Sequence, residues 1–172
     1  DISKNMLEKD RVIAIEENLQ INIIHGNMCN LSQFTDECFD LIVNPISLIY
    51  IPEVIPVFRE CYRVLKCGGS LILCAPDPIA YTCDWVDDDK DGYYKAVNRL
   101  PYKSYEHDEQ KDWIEFWHTM ADYIGGQISC GFIISGFIEQ QMEDITEKYF
   151  ITKADKILGD NKMNYVDDLR KI

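Results

Sequence analysis

Phe39-Asp40-Leu41-Ile42-Val43-Asn44-Pro45 is a short apolar run that ends in an amide and a proline. A run of this length, bounded by turn residues, predicts a buried β-strand. On its C-terminal side, residues 55–66 carry apolar side chains at helical spacing, with Pro56 in the first turn. Gly68-Gly69 is expected to break that helix, and residues 70–75 then predict a second apolar strand. The stretch therefore sits in a strand–helix–strand unit.

The same alternation extends toward the N-terminus. Ser3 is expected to cap a helix over residues 4–18, and the β-branched run 21–25 predicts a strand stopped by Gly26. Nearly continuous apolar strands separated by helices are typical of a parallel sheet covered on both faces. We therefore expect an α/β fold with three layers.

The second half of the chain has a different character. Residues 76–118 are rich in Asp, Tyr and Pro, and the segments 94–100 and 112–117 predict two arms of a hairpin. A helix is expected over 119–130 with Gly131 as its left-handed stop, followed by strands over 132–139 and 149–154 and a short helix near Asp144. We expect one domain over 1–157, with 76–118 as an insertion and 158–172 as a polar tail.

Composition narrows the function classes. The chain has 172 residues, 17 basic and 30 acidic, which gives a formal charge of −13. Such a surface repels phosphate backbones, so a nucleic-acid partner is disfavoured, and no apolar run approaches the ~18 residues of a membrane helix. The seven cysteines form no Cys-x-x-Cys pair, which favours reduced thiols in a cytoplasmic protein and argues against a zinc site.

Polar residues follow three predicted strand ends: Asp1, Asn27 and Asn44. The carboxyl ends of parallel strands open into the crevice where such sheets bind ligands. There, an acidic side chain can accept both hydroxyls of a ribose, and an Asx side chain with its neighbouring amide can contact an adenine edge. Taken singly, each residue is better explained without a ligand: Asp1 as a free terminus, Asn27 as a turn residue and Asn44 as a strand stop.

Four segments in order resemble the class I S-adenosylmethionine-dependent methyltransferases. They are residues 1–7, 26–28, 39–43 and 62–71, and the resemblance resumes more weakly over 118–153. It implies a Rossmann-like sheet that is mostly parallel with an antiparallel last strand. It also implies methyl transfer from S-adenosylmethionine to a small-molecule acceptor.

The resemblance also implies roles for particular residues. Asp1 resembles the acid that binds the cofactor ribose, and Ile2 and Met6 resemble the apolar residues near the adenine ring. Asn27 is expected at the exocyclic amine and the Met28 amide at the ring. Asn44 and Pro45 occupy the position that faces the methyl group and the acceptor, although Ile46-Ser47 departs from the aromatic continuation of amino-methylating relatives.

One departure from the family pattern concerns the N-terminal part. The family's central first strand and its glycine-rich loop should precede Asp1, and no comparable glycine-rich turn occurs in the chain. We therefore expect a truncated or incompletely represented methyltransferase. The alternative is a non-catalytic remnant that acts as a binding or interaction module, and a homo-oligomer is left open.

Other motifs have competing interpretations. Tyr62-x-x-x-Lys66 with Ser47 upstream matches a short-chain dehydrogenase dyad, although Gly68-Gly69 ends the helix too early. Residues 87–92 match the start of a calcium loop but lack its closing glutamate. His118, beside several aromatic residues, is a candidate general base for methyl transfer or a structural histidine.

Overall fold

The computed structural model describes residues 1–87, 92–108, 111–139 and 148–157. The predicted helix near Asp144, the polar tail and most of the calcium-like loop lie outside these residues. The described residues form four helices, α1 (Lys4–Glu16), α2 (Ile55–Val64), α3 (Pro78–Thr82) and α4 (Gly126–Ser129), with a 3₁₀ turn at Ser47–Tyr50 and a π turn at Ala121–Gly125. No described helix is both long and apolar enough to cross a bilayer.

The main sheet has four strands in the order β1-β2-β8-β7, which are Phe39–Pro45, Leu65–Pro76, Tyr149–Asp155 and Ile133–Glu139. β1 and β2 are parallel, whereas β8 is antiparallel to both of its neighbours. This arrangement confirms the predicted class, a Rossmann-like α/β sheet with an antiparallel last strand.

The core lies where α2 and the 121–132 segment face the sheet. Phe58 and Val57 of α2 are almost fully buried, because the amphipathic helix turns one apolar face toward β2. The buried cluster includes Leu48, Val54, Cys61, Leu65, Leu71, Leu73, Tyr123, Phe132 and Phe150. Burial of their apolar surface is the main force that holds β1 and β2 at a common edge.

Two local predictions are wrong. Residues 21–25 do not form a strand, because in the described chain they meet only the backbone of residues 1–2. The second is the break at Gly68-Gly69: α2 ends at Val64, and both glycines lie inside β2. Gly68 has a left-handed φ of 83°, which glycine adopts without steric cost, so the strand continues through an irregularity in its pairing with β1.

The 76–118 segment forms two separate hairpins. The strands β3 (Cys83–Val86) and β4 (Tyr93–Ala96) pair with each other, as do β5 (Tyr102–Asp108) and β6 (Lys111–Trp117). The predicted pairing of 94–100 with 112–117 is therefore wrong, although extended structure is present in both places. The β6 strand packs against the 3₁₀ turn that follows β1, which brings the insertion to the carboxyl edge of the sheet.

Within the described residues, the outer edge of β1 has no strand partner. Leu41 and Val43 of β1 have 56% and 59% of their side chains exposed. Native proteins seldom leave apolar side chains exposed on an unprotected edge strand. The open edge faces away from β2, because β2 pairs along the other side of β1.

Candidate functional site at the carboxyl edge of the sheet

Asn44 is the central residue of the candidate site. It precedes the last residue of β1, and its Oδ1 accepts a 2.9 Å hydrogen bond from the Ser47 hydroxyl. Its Nδ2 lies 3.8 Å from the sulfur of Met28. The side chain is therefore held between the turn after β1 and the segment that contains Met28, at the edge where the parallel strands end.

Asp1 is joined to the same segment through the backbone. The amide of Gly26 donates to the carbonyl oxygen of Asp1 at 3.0 Å, and the Asp1 amine donates to the Ile24 carbonyl oxygen at 3.1 Å. One residue bonded to positions 24 and 26 of another segment is the geometry of a parallel bridge. The backbone of Asp1 thus runs beside His25, one residue before Gly26 and Asn27.

The structure connects the sequence-predicted positions in series. Asp1 contacts Gly26, and Met28, two residues further along, contacts Asn44. Pro45, which follows Asn44, is the last residue of β1 and pairs with Cys74 of β2. These contacts bring Asp1, the 26–28 segment and the end of β1 to one region of the surface. Their roles toward a ligand remain predictions.

The side chains around Asp1 combine an acceptor with apolar surface. One carboxylate oxygen accepts a 2.7 Å hydrogen bond from the Ser3 amide, and the other accepts none from the described residues. Ile2 and Met6 are 66% and 45% exposed beside it. Asn27 forms a short turn in which Oδ1 accepts the Cys29 amide at 2.9 Å, so its Nδ2 is the group that points to other partners.

The turn after β1 is strained. Ile46 has φ 62° and ψ −19°, a left-handed conformation that is rare for a β-branched residue and costs on the order of 1–3 kcal/mol. Its amide donates to the Cys74 carbonyl oxygen at 2.7 Å. Strain of this kind persists only where neighbouring contacts impose it, and it clusters at functional sites. The sequence contained no signal for this conformation.

His118 lies against the same turn. Its Nε2 is 3.2 Å from the Leu48 carbonyl oxygen and 3.0 Å from that of Ile51. The side chain is 5% exposed, and its ring meets Tyr123 edge-on with a centroid distance of 5.5 Å. The predicted role as a general base stays a prediction, and only Nδ1 is left to accept a proton.

Aromatic side chains pair with one another within the insertion, whose strand β6 packs against the turn after β1. Trp117 stacks on Tyr81 with a centroid distance of 3.5 Å, and Trp85 meets Tyr94 edge-on at 5.0 Å. Burial raises the pKa of Tyr50, with further contributions from Glu115 and Tyr149, which places these three groups near one another. The insertion therefore offers ring faces and a carboxylate beside the end of β1.

A separate cavity of about 480 Å³ lies between the 29–36 loop and α2, lined by residues that include Cys29, Arg59 and Arg63. The guanidinium of Arg63 bonds to Glu60, to Asp36 and to the carbonyl oxygens of Phe34 and Leu31. The hydrogen bonds that Arg63 donates to the carboxylates of Glu60 and Asp36 raise the Arg63 pKa above its usual value. This network ties the loop to α2, so its charges are already paired.

The rival dehydrogenase dyad does not form. Tyr62 lies on α2 with its ring edge-on to Phe132, whereas Lys66 lies on β2 and pairs with Asp40 at 2.9 Å. No group of three or more His, Cys, Asp and Glu side chains in the described segments is arranged to hold a metal ion. All seven cysteine thiols are unpaired, and burial raises the pKa of Cys61 to about 12.

Comparison with known proteins identifies relatives of this chain. Residues 1–73 match the profile of a family described as a methyltransferase domain. A Bacillus subtilis (strain 168) protein named uncharacterized methyltransferase YbaJ is 36% identical over 161 residues, or 88% of this chain and 63% of the relative. Demethylmenaquinone methyltransferase of Listeria monocytogenes serotype 4a is 42% identical over 72 residues, which cover 41% of this chain and 30% of that protein.

Solved structures share the fold. The S-adenosylmethionine-dependent methyltransferase of Mesorhizobium loti superposes with a TM-score of 0.69 at 18% identity, covering 90% of this chain and 78% of that one. The chain spans less than two thirds of the length of the curated relatives named above. The resemblance predicted from the sequence is confirmed: the N-terminal residues match a methyltransferase domain, and the chain has the fold of the class I S-adenosylmethionine-dependent methyltransferases.

Proposed function

We propose that this chain binds S-adenosylmethionine and transfers its methyl group to a small-molecule acceptor. The contacts from Asp1 to Gly26 and from Met28 to Asn44 support the proposal, because they connect Asp1 and the 26–28 segment to the carboxyl end of β1. Ligands of open α/β sheets bind at that edge. The domain would comprise residues 1–157, with 76–118 as the acceptor cover.

The residues around Asp1 fit the adenosyl half of the cofactor. The free carboxylate oxygen of Asp1 would accept ribose hydroxyls, and the exposed side chains of Ile2 and Met6 would cover the adenine ring. Asn27 and the Met28 amide would contact the polar edge of the base. No glycine-rich turn accompanies Asp1 in the described segments, so no residues are assigned to the methionine half.

Asn44 and Pro45 would face the transferring methyl group and the acceptor. When bound, the cofactor supplies a sulfonium methyl for in-line displacement, a reaction that depends mainly on alignment. The Ser47 hydroxyl fixes the Asn44 amide, so this side chain can hold an acceptor without a large reorganisation. A proton that leaves the acceptor would pass to Nδ1 of His118 or to water.

The acceptor would be a small molecule with an apolar or cationic part, because β6 of the aromatic-rich insertion packs against the turn that follows Asn44. The net charge of −13 disfavours nucleic-acid substrates. The relatives' name makes demethylmenaquinone a first compound to assay. A cytoplasmic location and a homo-oligomeric state belong to the same proposal.

Titration calorimetry with S-adenosylhomocysteine tests the cofactor assignment. We expect micromolar binding by the chain and a loss of about tenfold in affinity for Asp1→Asn, because one charge-assisted acceptor is removed. Asp10→Asn makes the same change in charge in the middle of α1 and should stay within about twofold of wild type. No heat with the wild-type chain would contradict the proposal.

The open edge of β1 supports a second candidate, a module that binds another polypeptide. Leu41 and Val43 are more than half exposed beside unpaired backbone groups, and such an edge can accept an added strand. The same titration separates the two candidates, since an interaction module need not bind S-adenosylhomocysteine. Equal, weak heats for wild type and Asp1→Asn would favour the module.

A further inference from the structure

We infer that His118 is a positioning residue: through its Nε2–H it holds the strained turn after β1 and, with the turn, the Asn44 side chain. The inference rests on the proposed function in one respect, namely that Asn44 faces the acceptor. The geometry of the turn itself is independent of that assignment.

The tautomer follows from the two partners of Nε2. The Leu48 and Ile51 oxygens lie 3.2 and 3.0 Å away, and a backbone carbonyl oxygen can only accept. Nε2 must therefore carry a hydrogen and share it between both acceptors. An unprotonated Nε2 at this position would face two lone-pair-bearing oxygens in a buried setting, which is unfavourable.

The segment that His118 holds needs an anchor. Ile46 enters it in a left-handed conformation, and the 3₁₀ turn is short, with Ile49 and Ile51 donating backbone bonds at 3.4 and 3.3 Å. These bonds are long for N–H···O contacts, so they contribute little to holding the turn. The Ile46 amide ties the start of the segment to Cys74 of β2, and the imidazole ties its other end to a different part of the chain, next to β6.

Ser47 connects the turn that His118 holds to the Asn44 side chain. Ser47 opens the 3₁₀ turn and donates its hydroxyl hydrogen to Oδ1 of Asn44 at 2.9 Å. A turn that moved away from β1 would break this bond and release the amide. On the other side, the His118 ring packs edge-on against Tyr123, and Tyr123 is 1% exposed. The imidazole is thus clamped between a core ring and the turn.

The placement argues against acid–base work at Nε2. That nitrogen is occupied by two structural acceptors, and the side chain is 5% exposed. A residue that shuttles protons needs a nitrogen within reach of the reacting group. The role assigned here is to fix geometry, and it needs one permanent donor.

Nitrogen-15 NMR of the imidazoles in the wild-type chain tests the tautomer without any substitution. We expect the Nε2–H form for His118, identified among the three histidines by loss of its signals in His118→Gln. The Nδ1–H form with bare Nε2 would overturn the inference and restore His118 as a base acting through Nε2.

Two variants test the positioning. His118→Gln keeps an N–H donor of similar reach, whereas His118→Ala removes it. We expect the Ile51 amide to exchange about tenfold faster in His118→Ala, the size of effect a lost hydrogen bond produces, and to remain near wild type in His118→Gln. Equal exchange in both variants would overturn the inference.

Calorimetry with S-adenosylhomocysteine on the same proteins keeps the two proposals apart. The inference expects His118→Ala to leave cofactor affinity within about threefold, because the histidine touches the turn after β1 and not the Asp1 side. A wild-type chain that shows the Nε2–H tautomer but binds no S-adenosylhomocysteine would refute the proposed function alone.

Discussion

The Gly26 amide donates a 3.0 Å hydrogen bond to the Asp1 carbonyl oxygen. This bond holds Asp1 beside the segment that contains Asn27 and Met28. Gly26→Pro removes the donor. We expect S-adenosylhomocysteine affinity to fall by about tenfold in this variant, because Asp1 and Asn27 would no longer be held side by side. Titration calorimetry measures the change.

Gly26→Ala is the matched control for this prediction. A methyl group there would approach only the end of the flexible Gln33 side chain, at 3.0 Å, and the amide is kept. Affinity should remain within about twofold of wild type. If Gly26→Ala weakened binding as much as Gly26→Pro, the hydrogen bond would not be the cause.

Thr152 and Gln127 form a buried pair between β8 and α4. The Thr152 hydroxyl donates to Oε1 of Gln127 at 3.0 Å, and both side chains are fully buried. Thr152→Val leaves that oxygen without a donor, so we expect a loss of about 1–3 kcal/mol in the free energy of unfolding. Thr152→Ser keeps the hydroxyl and should lose less; urea denaturation followed by circular dichroism compares them.

The stack of Trp117 on Tyr81 joins the two ends of the 76–118 insertion. Trp117 is 6% exposed, with a ring distance of 3.5 Å to Tyr81. Trp117→Ala should lower the free energy of unfolding by about 3–5 kcal/mol, because it removes a large buried ring. Trp117→Phe keeps part of the stack and should cost less. Similar stability of Trp117→Ala and wild type in urea would show that the insertion is held elsewhere.

The carboxyl group of Asp155 makes the free energy of unfolding depend on pH. Burial raises the pKa of its carboxyl, but hydrogen bonds from Ser135, Ser70 and Lys153 outweigh burial and lower it from 3.8 to about 2. A folded-state pKa below the unfolded one stabilises the fold above about pH 4, and this contribution is lost as pH falls toward 2. It amounts to about 2 kcal/mol.

Asp155→Asn should remove this pH dependence. Its free energy of unfolding would lie below that of wild type at pH 6, and the two proteins would converge as the pH approaches 2. Urea unfolding at several pH values between 2 and 6 measures the difference. A constant difference across that range would mean that Asp155 does not titrate as described.

Strands with strong patterns and nearby partners were predictable from the sequence. The apolar run of β2 is buried against α2, and the amphipathic spacing around Phe58 identified the face of α2 that packs there. β1 also forms where it was predicted, but it is not buried: Leu41 and Val43 are more than half exposed. Asn44 lies near the end of β1 as expected, whereas Asn27 follows a segment that forms no strand. These features depend on neighbours in sequence, which a single chain displays directly.

Residues 21–25 show that a local sequence pattern does not reveal whether a strand has a partner to pair with. They carry the β-branched composition of a strand, yet a strand needs a neighbour along its length, and here it meets only the backbone of Asp1 and Ile2. The predicted break at Gly68-Gly69 was wrong for a related reason. Glycine can end a helix, but it can also adopt a left-handed conformation within a strand. The choice was made by pairing with β1 and by the backbone of Lys156.

The candidate site was only partly predictable. The contact of Met28 with Asn44, the left-handed Ile46 and the two bonds of His118 join segments far apart in the chain. Composition placed His118 beside aromatic residues but gave no hint of its carbonyl partners. Polar contacts over long sequence separations depend on the completed fold.

The position of β8 between β2 and β7 has a consequence during synthesis. Three of the four strands of the main sheet can exist before residue 149, but β7 reaches β2 only through β8. The hairpins β3–β4 and β5–β6 can form early, because their strands are close in sequence. The main sheet is completed only after β8 has left the ribosome. Until then Tyr123 and Phe137 lack their ring contacts with Phe150, and apolar surface of the nascent chain stays exposed.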